Sequence, residues 1–543
     1  MKFNYLIKLA ILCLFASLVS CGGSGGSSNP VTAIGSCTLG TGTDLSVSGT
    51  IKFERIPLQS SGALNFNAIT SQPANAIQVE AVCNSVIAAT TTDDNGLYTL
   101  SLPSGTQGVF IRAKAQMIKT GIPSWNVEIK NSSQSSGLLF ALDGSPFNLE
   151  GLDVTRNLLA TAGNVGSSYP NNAARAAAPF AILDTIYKSM QLVLSVEPNA
   201  VFPALDVIWS DDNEDGTYYT NNQINILGST VDTDEFDEHV IAHEWGHYYQ
   251  DAFSRDNSVG GSHTLRDILD IRVAFSEGFG NAYSAMVTGN TIYKDSQGLS
   301  SGFSFDVESN NCINKGWFSE CSVQSVLYDF FDAINDDVFS LGFDEIHGVM
   351  TSNVPTSSSL TSIFSFINHF KNLTSINAAA VDNLLAVQTI DSITDDYATG
   401  VSDGGYIIGS TDVFPIYDTR AFPLTDVCST GDNISAEEVY GLGVSRFIRF
   451  TAPSSGNYRF TANWTSGLNV SDPDMYLFRN GTIVAAGQSV VNRSESFVSN
   501  LVAGSEYILE VLEYTYVNLD VPYNRSASGA INKTCFTVSR API

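Results

Sequence analysis

The segment HVIAHEWGHYYQD, residues 239–251, combines imidazole and carboxylate side chains at a spacing that suits metal chemistry. Residues four apart lie on one face of an α-helix, so His243 and His247 can both donate a nitrogen to a single ion. Glu244 follows the first of these histidines and can reach a metal-bound water without binding the metal. The pattern predicts a helix that binds zinc and hydrolyses a bond with a zinc-activated water, with Glu244 as general base. The alternative is a buried helix whose histidines bind backbone carbonyls.

A catalytic zinc requires a third protein ligand and one open position. The metzincin pattern is excluded, because it needs Gly and His three and six residues after His247, where Gln250 and Phe253 stand. The segment RVAFSEGFGNAYSAM, residues 272–286, supplies Glu277 in a helical stretch rich in small residues. HExxH followed by this downstream Glu resembles the gluzincins, the thermolysin-like zinc metallopeptidases.

The gluzincin resemblance implies a ligand set. Glu277 would be the third zinc ligand, and Asn281, which completes an E-x-x-x-N pattern, would accept a hydrogen bond from a ligand histidine and fix its tautomer. The residues that compete with Glu277 for the third position are His263, Asp267 and Asp270. Among these, His263 is the main competitor.

The same resemblance implies a Tyr or His that stabilises the oxyanion formed on the substrate carbonyl. The candidates for this catalytic role are His347, Tyr283 and His263, and the sequence does not choose between them. The predicted strand QINILGS, residues 223–229, precedes the catalytic helix. We expect it to be the sheet edge on which an extended peptide adds as a further strand.

A second cation site is an open alternative at DDNEDG, residues 211–216. This segment begins like a calcium loop of the form D-x-N-x-D-G, but its twelfth position is Asn222 instead of Glu. An acidic surface turn is the competing interpretation. The predicted cofactor is therefore Zn²⁺, with Ca²⁺ as an open addition.

The first residues, MKFNYLIKLAILCLFASLVSC, read as a targeting segment. Residues 1–20 are predicted to be a signal peptide, and the segment before Cys21 resembles the lipobox of bacterial lipoproteins, which implies lipidation of Cys21. Residues 21–45 form a predicted flexible tether. We expect a lipid-anchored protein of the bacterial cell envelope, at the outer membrane or cell surface, or otherwise a secreted protein.

The net charge of −29 argues against electrostatic binding to nucleic acid or to anionic lipid. The predicted partners are a peptide or protein substrate and, through the lipid anchor, a membrane.

Six cysteines remain after Cys13 and Cys21 are set aside, and an even number in an exported chain indicates disulfides. Of about fifteen possible connectivities, the pairing of neighbours, Cys37–Cys83, Cys312–Cys321 and Cys428–Cys535, respects the expected domains.

The chain as a whole predicts a multidomain protein, with an α+β zincin-like metallopeptidase core flanked by two all-β sandwich domains. Residues 46–130 alternate in polarity as short strands and resemble carboxypeptidase regulatory-like sandwiches through TTDDNGLY. Residues 145–405 contain the metallopeptidase motifs. Residues 411–543 return to strands, and SDPDMYLFRNG with LVAGSEYILEV resembles the pre-peptidase C-terminal domain of secreted peptidases.

Helices of the middle region follow from apolar periodicity. Pro179 marks a start or kink within residues 173–194, and the catalytic helix is predicted from about Asp234. Further helices are predicted at 270–288, 321–335, 343–351, 359–371 and 376–388.

These features favour an exported zinc metallopeptidase. The alternative function is a cell-surface binding or adhesion lipoprotein that keeps a non-catalytic zinc site. The intact Glu244 favours the enzyme, because a binding protein has no use for the general base.

Overall fold

The structure is a computed structural model. It describes residues 37–133, 137–170, 173–309, 311–332, 339–405, 413–431, 440–490, 493–517 and 533–543. The predicted signal peptide, most of the tether and Cys21 lie outside the described residues. The chain forms two compact units, described separately below: an N-terminal unit that ends at Tyr248 and includes 287–306, and a C-terminal unit of 249–286 and 307–543.

The N-terminal unit is rich in β structure. Its strands, in chain order, are β1 Asp44–Arg55, β2 Thr70–Pro73, β3 Ile77–Cys83, β4 Ser85–Thr91, β5 Leu97–Pro103, β6 Phe110–Lys119, β7 Trp125–Asn131, β8 Ala141–Asp143, β9 Val154–Thr155, β10 Leu158–Ala160, β11 Leu205–Trp209, β12 Tyr218–Thr220, β13 Gln223–Ile226, β14 Ile292–Ser296 and β15 Gly302–Asp306. They form an eight-stranded sheet in the order β12-β13-β11-β7-β6-β3-β4 with β8 on β6, a five-stranded sheet around β1, and the hairpin β14–β15.

The eight-stranded sheet crosses the predicted domain boundary between residues 130 and 145. Strand β7, from the predicted N-terminal sandwich, pairs in parallel with β11, and Val127 lies opposite Leu205. Both strands alternate buried and half-buried residues. The predicted boundary between residues 130 and 145 therefore does not separate two sheets. Strand β7 ends at Asn131 and pairs with β11, which begins 74 positions later, at Leu205.

Strand β13 corresponds to the predicted strand QINILGS, but it is not a sheet edge. It pairs with β11 on one side and with β12 on the other, where Tyr218 lies opposite Asn225. The prediction of a peptide-binding edge at 223–229 is wrong, since the chain turns back after the acidic segment 211–216 and covers β13 with β12.

Helix α1, Ala178–Val196, begins with Pro179 in its first turn, as the sequence predicts. Its buried residues include Ile182, Ile186 and Val193, which recur on one face. Helix α2, Glu238–Phe253, carries the HExxH motif and starts four residues later than predicted. The start is delayed because Asp234–Asp237 forms a turn, in which the Asp237 amide donates to the Asp234 carbonyl at 3.0 Å.

The C-terminal unit begins with α-helices. Their bounds are α3 Ile271–Thr288, of which the residues to Met286 belong to this unit, α4 Glu320–Phe331, α5 Phe343–Gly348, α6 Ile363–Lys371 and α7 Ala378–Val387. The predicted helices at 270–288, 343–351, 359–371 and 376–388 each contain one of these. The predicted helix at 321–335 overlaps α4, and its residues 333–335 lie outside the described residues. Helix α5 passes into a π-helical turn at Val349–Asn353. Helix α6 starts with a Ser362–Ser365 capping box.

The rest of the C-terminal unit consists of two antiparallel-rich sheets. The strands are β16 Tyr417–Asp418, β17 Leu424–Thr430, β18 Ser445–Thr451, β19 Gly456–Ser466, β20 Pro473–Arg479, β21 Thr482–Gly487, β22 Ser494–Leu501, β23 Glu506–Glu513 and β24 Lys533–Pro542, with a short helix α8 at Tyr514–Val517. One sheet has the order β16-β18-β23-β20-β21 and the other β17-β24-β19-β22. A shared core that includes Leu509 and Phe536 packs between them, which confirms the predicted β structure of 411–543.

Three disulfides join the predicted cysteine pairs, Cys37–Cys83, Cys312–Cys321 and Cys428–Cys535. The preferred connectivity is therefore confirmed. Among the described residues, the helices are too short or too polar to cross a membrane.

Candidate metal centre

The two motif histidines face each other on α2. The Nε2 atoms of His243 and His247 lie 3.1 Å apart, and their rings are nearly perpendicular with centroids 4.8 Å apart. Two nitrogens bound to one tetrahedral zinc at 2.0–2.1 Å lie about 3.3 Å apart. The imidazole pair therefore already has the separation that a shared zinc ion requires.

Glu244 is buried on the same helix, beside an aromatic residue of the hairpin β14–β15. Tyr293 lies edge-on to His243 with ring centroids 6.4 Å apart, and it stacks on Phe305 at 4.6 Å. Burial, followed by the negative charges of Asp295 and Glu244, raises the pKa of Tyr293 well above its ordinary value. Tyr293 is thus a neutral phenol close to Glu244, the predicted general base, and to His243, the first predicted ligand.

Glu277 is buried on α3, in the C-terminal unit, and it has a histidine beside it. The Nε2 atom of His263 lies 3.1 Å from the Glu277 carboxylate and 3.4 Å from the Glu320 carboxylate. Burial alone lowers the pKa of His263, but the two carboxylates outweigh it and hold that pKa well above its ordinary value. The structure therefore brings two candidates for the third ligand, Glu277 and His263, into direct contact.

A glycine determines how closely α4 approaches α3. A Cβ atom on Gly278 would lie 2.6 Å from the Cβ of Val323 and 2.9 Å from the Glu320 carbonyl oxygen, so only glycine fits between the helices. The close approach places Glu320, the first residue of α4, near Glu277. The small residues noted in the sequence therefore serve the α3–α4 contact.

The last turns of α2 pack against α3 within the C-terminal unit. The Gln250 amide donates to the Ser276 carbonyl at 3.3 Å, and Tyr249 stacks on Phe279 and Tyr283 with centroids 5.7 and 5.6 Å apart. Tyr283, one oxyanion candidate, is thus part of an aromatic stack, and burial raises its pKa well above the ordinary value. These features are typical of a core residue.

The other predicted residues have defined surroundings. The buried His347 on α5 shares a 2.8 Å hydrogen bond between its Nδ1 and the Tyr249 hydroxyl. The Asn281 side-chain nitrogen donates to the Gln324 side chain at 2.9 Å. That a ligand histidine donates to the Asn281 oxygen stays a prediction. Asp267 caps the loop backbone, since its carboxylate accepts a 2.7 Å bond from the Thr264 amide. Asp270 pairs with Arg272.

The acidic segment 211–216 behaves as a turn. The Asn213 side chain donates to the Ile226 carbonyl at 2.6 Å, and its oxygen accepts from the Asp215 amide. Asp212 accepts from the Ser210 hydroxyl. In the part of the chain that the structure describes, the groups suited to a metal ion do not include these aspartates, so the acidic surface turn is the better description.

Sequence reasoning missed Glu320, Tyr293 and a group of carboxylates formed by Asp232, Asp234 and Asp295. Glu320 and Tyr293 have no local motif and reach the motif residues only through tertiary packing. The segment TVDTDEFDE, residues 230–238, was a visible signal, because four acidic residues directly precede α2 and a fifth, Glu238, begins it.

Comparisons with known proteins agree with the sequence motifs. Residues 197–383 match the family model described as the Mycolysin C-terminal domain, which identifies a peptidase-related domain over less than half of the chain. The matched region contains the HExxH motif and Glu277. A comparison with curated proteins gives no match.

Three solved structures show weak similarity. The pre-peptidase C-terminal domain of collagenase from Bacillus anthracis is 13% identical, with a TM-score of 0.15, and the alignment covers 23% of this chain and 94% of that chain. The periplasmic lysozyme inhibitor PliG of Aeromonas hydrophila is 11% identical, with the same score and the same coverage. A family 35 carbohydrate binding module from Clostridium thermocellum is 17% identical, with a TM-score of 0.12, and the coverage is 18% and 68%.

Proposed function

We propose that this protein is an exported zinc metallopeptidase, anchored at the bacterial cell envelope by lipid on Cys21, that hydrolyses bonds in peptides or proteins. The observation that carries the proposal is the imidazole pair of α2, with Nε2 atoms 3.1 Å apart. It lies within the region that matches a peptidase-related domain and has Glu244 between its two members.

The zinc ligands would be His243, His247 and Glu277. The contact of Gln250 with Ser276, the neighbour of Glu277, supports this set, because Gln250 follows His247 by less than one helical turn. Two imidazoles and one carboxylate form a ligand set of catalytic zinc sites.

Bound zinc would supply Lewis-acid chemistry, which acidifies a water molecule and polarises the substrate carbonyl. Glu244 would accept the proton that the attacking water loses. Its buried position shields the carboxylate from most bulk water.

The decisive experiment measures zinc content and hydrolysis of casein or a peptide library for the wild type and Glu244→Gln. We expect both proteins to retain zinc, and activity to fall by a factor of about 10² to 10⁴ in the variant. The exposed Glu214 provides a matched control, and Glu214→Gln should keep full activity. Zinc without activity in the wild type would favour a binding or adhesion protein.

The third ligand is tested by comparing Glu277→Gln with His263→Gln. We expect Glu277→Gln to lose zinc, and His263→Gln to retain it, because His263 would support Glu277 through a contact with its carboxylate and would not itself bind the ion. The opposite result would assign the third position to His263.

The anchor is tested separately, by metabolic labelling with a fatty acid. Cys21→Ser should abolish incorporation and release the protein from the membrane fraction. Labelling that persists in the variant would contradict the anchor without affecting the peptidase assignment.

A further inference from the structure

Three carboxylates of the N-terminal unit converge just before the catalytic helix. Asp232 and Asp234 belong to the segment that leads into α2, and Asp295 belongs to β14. One oxygen of each lies within 4.8 Å of the others. Oxygens bound to a single Ca²⁺ at 2.3–2.6 Å lie at most about 5.2 Å apart, so the three side chains can share one ion.

An unsatisfied buried oxygen gives independent evidence for a ligand. Asp234 is 4% exposed, and its Oδ2 accepts a hydrogen bond from the Thr217 hydroxyl, whereas its buried Oδ1 has no hydrogen-bond partner. The Oδ1 atom of Asp232 is also buried without a hydrogen-bond partner. Buried polar atoms without a partner are rare, and an oxygen of an ionised carboxylate in this state is strongly unfavourable unless a cation is bound.

The charges of the group reinforce one another. Burial and the charges of Asp295 and Asp232 raise the pKa of Asp234 well above its ordinary value. Burial and the charge of Asp232 raise the pKa of Asp295 to about 7. Asp237, which is also buried, experiences the charges of Asp234 and Asp295, but its oxygens accept the Ser296 amide at 2.6 Å and the Ser296 hydroxyl at 3.2 Å.

We infer that Asp232, Asp234 and Asp295 form a calcium site, separate from the proposed zinc centre. The three side chains offer only hard oxygen donors, which suit Ca²⁺ and do not suit zinc or copper. Calcium also tolerates an irregular arrangement, in which water and backbone carbonyls complete six to eight ligands.

The position of this site gives the ion a structural role. The segment 232–237 continues directly into α2, and β14 carries Tyr293, whose ring lies 5.3 Å from that of His239 and 6.4 Å from that of His243. A bound calcium would fasten the hairpin β14–β15 to the start of the helix that holds the motif histidines. Its loss would loosen that helix without removing any zinc ligand.

The test is a calcium titration of the full chain, freed of metals on a chelating resin and reloaded with one equivalent of zinc. We expect one Ca²⁺ per chain by calorimetry and a rise in Tm of about 5 °C at saturation. Asp232→Asn and Asp295→Asn should weaken calcium binding at least about tenfold. Asp215→Asn, in the exposed turn at 211–216, is the matched control and should bind calcium as the wild type does.

A second measurement keeps the test independent of the variants' overall stability. Without calcium, Asp295→Asn should raise Tm, because one of three mutually repelling carboxylates becomes neutral. With saturating calcium it should lower Tm relative to the wild type. A wild-type protein that does not bind calcium would overturn the inference, and so would Asn variants with wild-type affinity or an equal response to Mg²⁺. Zinc content is measured in the same samples, so failure of this site is distinguishable from failure of the zinc centre.

Discussion

Two buried clusters of charge in this protein differ in how the charge is compensated. In the C-terminal unit, Arg272 at the start of α3 donates to Asp270 at 2.9 and 3.0 Å and to Glu510 of β23 at 2.7 and 3.0 Å. The Ser445 hydroxyl donates to the same Glu510 at 2.6 Å. All three charged side chains are nearly inaccessible to solvent.

The cluster of the N-terminal unit, Asp232, Asp234 and Asp295, has charges of one sign only. The comparison teaches how buried charge can be interpreted. A cluster in which a cation lies between the carboxylates and uses its donors fastens two elements together, here α3 and the sheet of β23. A cluster of one sign with unused oxygens indicates that something from solution completes it.

The largest expected effect comes from removing the cation of the Arg272 cluster. Arg272→Met leaves Asp270 and Glu510 buried without their cation, and we expect the free energy of unfolding of the C-terminal unit to fall by about 3–5 kcal/mol. Denaturant unfolding, followed by intrinsic fluorescence, measures this loss.

The control for Arg272→Met is Arg459→Met on β19, where the arginine is exposed. Its cost should stay within about 0.5 kcal/mol. Similar losses in both variants would show that the arginine side chain contributes through its size and not through compensation of charge.

The local parts of this molecule could be predicted from sequence. The spacing of His243 and His247 fixes their common face, and Pro179 marks the first turn of α1, because both depend on one helical turn. The disulfides also followed, since neighbouring cysteines lie within the same region of the chain.

The non-local parts could not be predicted. The parallel pairing of β7 with β11 joins strands on both sides of a predicted boundary, and the covering of β13 by β12 removes a predicted edge. Periodicity reports which face of a strand is buried but not which strand is its neighbour. For the same reason, the contacts of His263 with Glu277 and Glu320 appear only in the tertiary structure.

An intermediate effect is expected at Asp474 of β20, whose charged neighbours are also acidic. Burial, with the charges of Asp472, Glu495 and Glu513, raises the pKa of Asp474 to about 8. The folded protein therefore holds this proton more tightly than the unfolded chain. The stabilisation is complete below about pH 4 and is lost as the pH rises through about 8.

Asp474→Asn should remove this pH dependence. Between pH 5 and about pH 8, the stability of the variant relative to the wild type should rise by on the order of 2 kcal/mol. Denaturant midpoints across this range measure the difference, with the exposed Asp426→Asn as control. Parallel curves for wild type and Asp474→Asn would show that Asp474 titrates normally.

The smallest effect is expected where the cation of a cluster is exposed. Lys188 on α1 lies 3.0 Å from Asp184 and 2.8 Å from Glu238, and its side chain is 41% exposed. Asp184 also pairs with Arg55 at 2.9 Å, and both of those side chains are 4% exposed. Lys188→Ala should therefore cost less than about 1 kcal/mol, because solvent screens the lysine and Arg55 still compensates Asp184.

Arg55→Met provides the matched comparison for Lys188→Ala, since it removes the buried cation that pairs with the same residue, Asp184. We expect its cost to approach about 3–5 kcal/mol, and the cost of Lys188→Ala to vanish in high salt while that of Arg55→Met persists. Equal losses of stability in the two variants would mean that burial of a charged side chain does not determine how much it stabilises this protein. The distinction between clusters that contain a cation and clusters of carboxylates alone would then lose its physical basis.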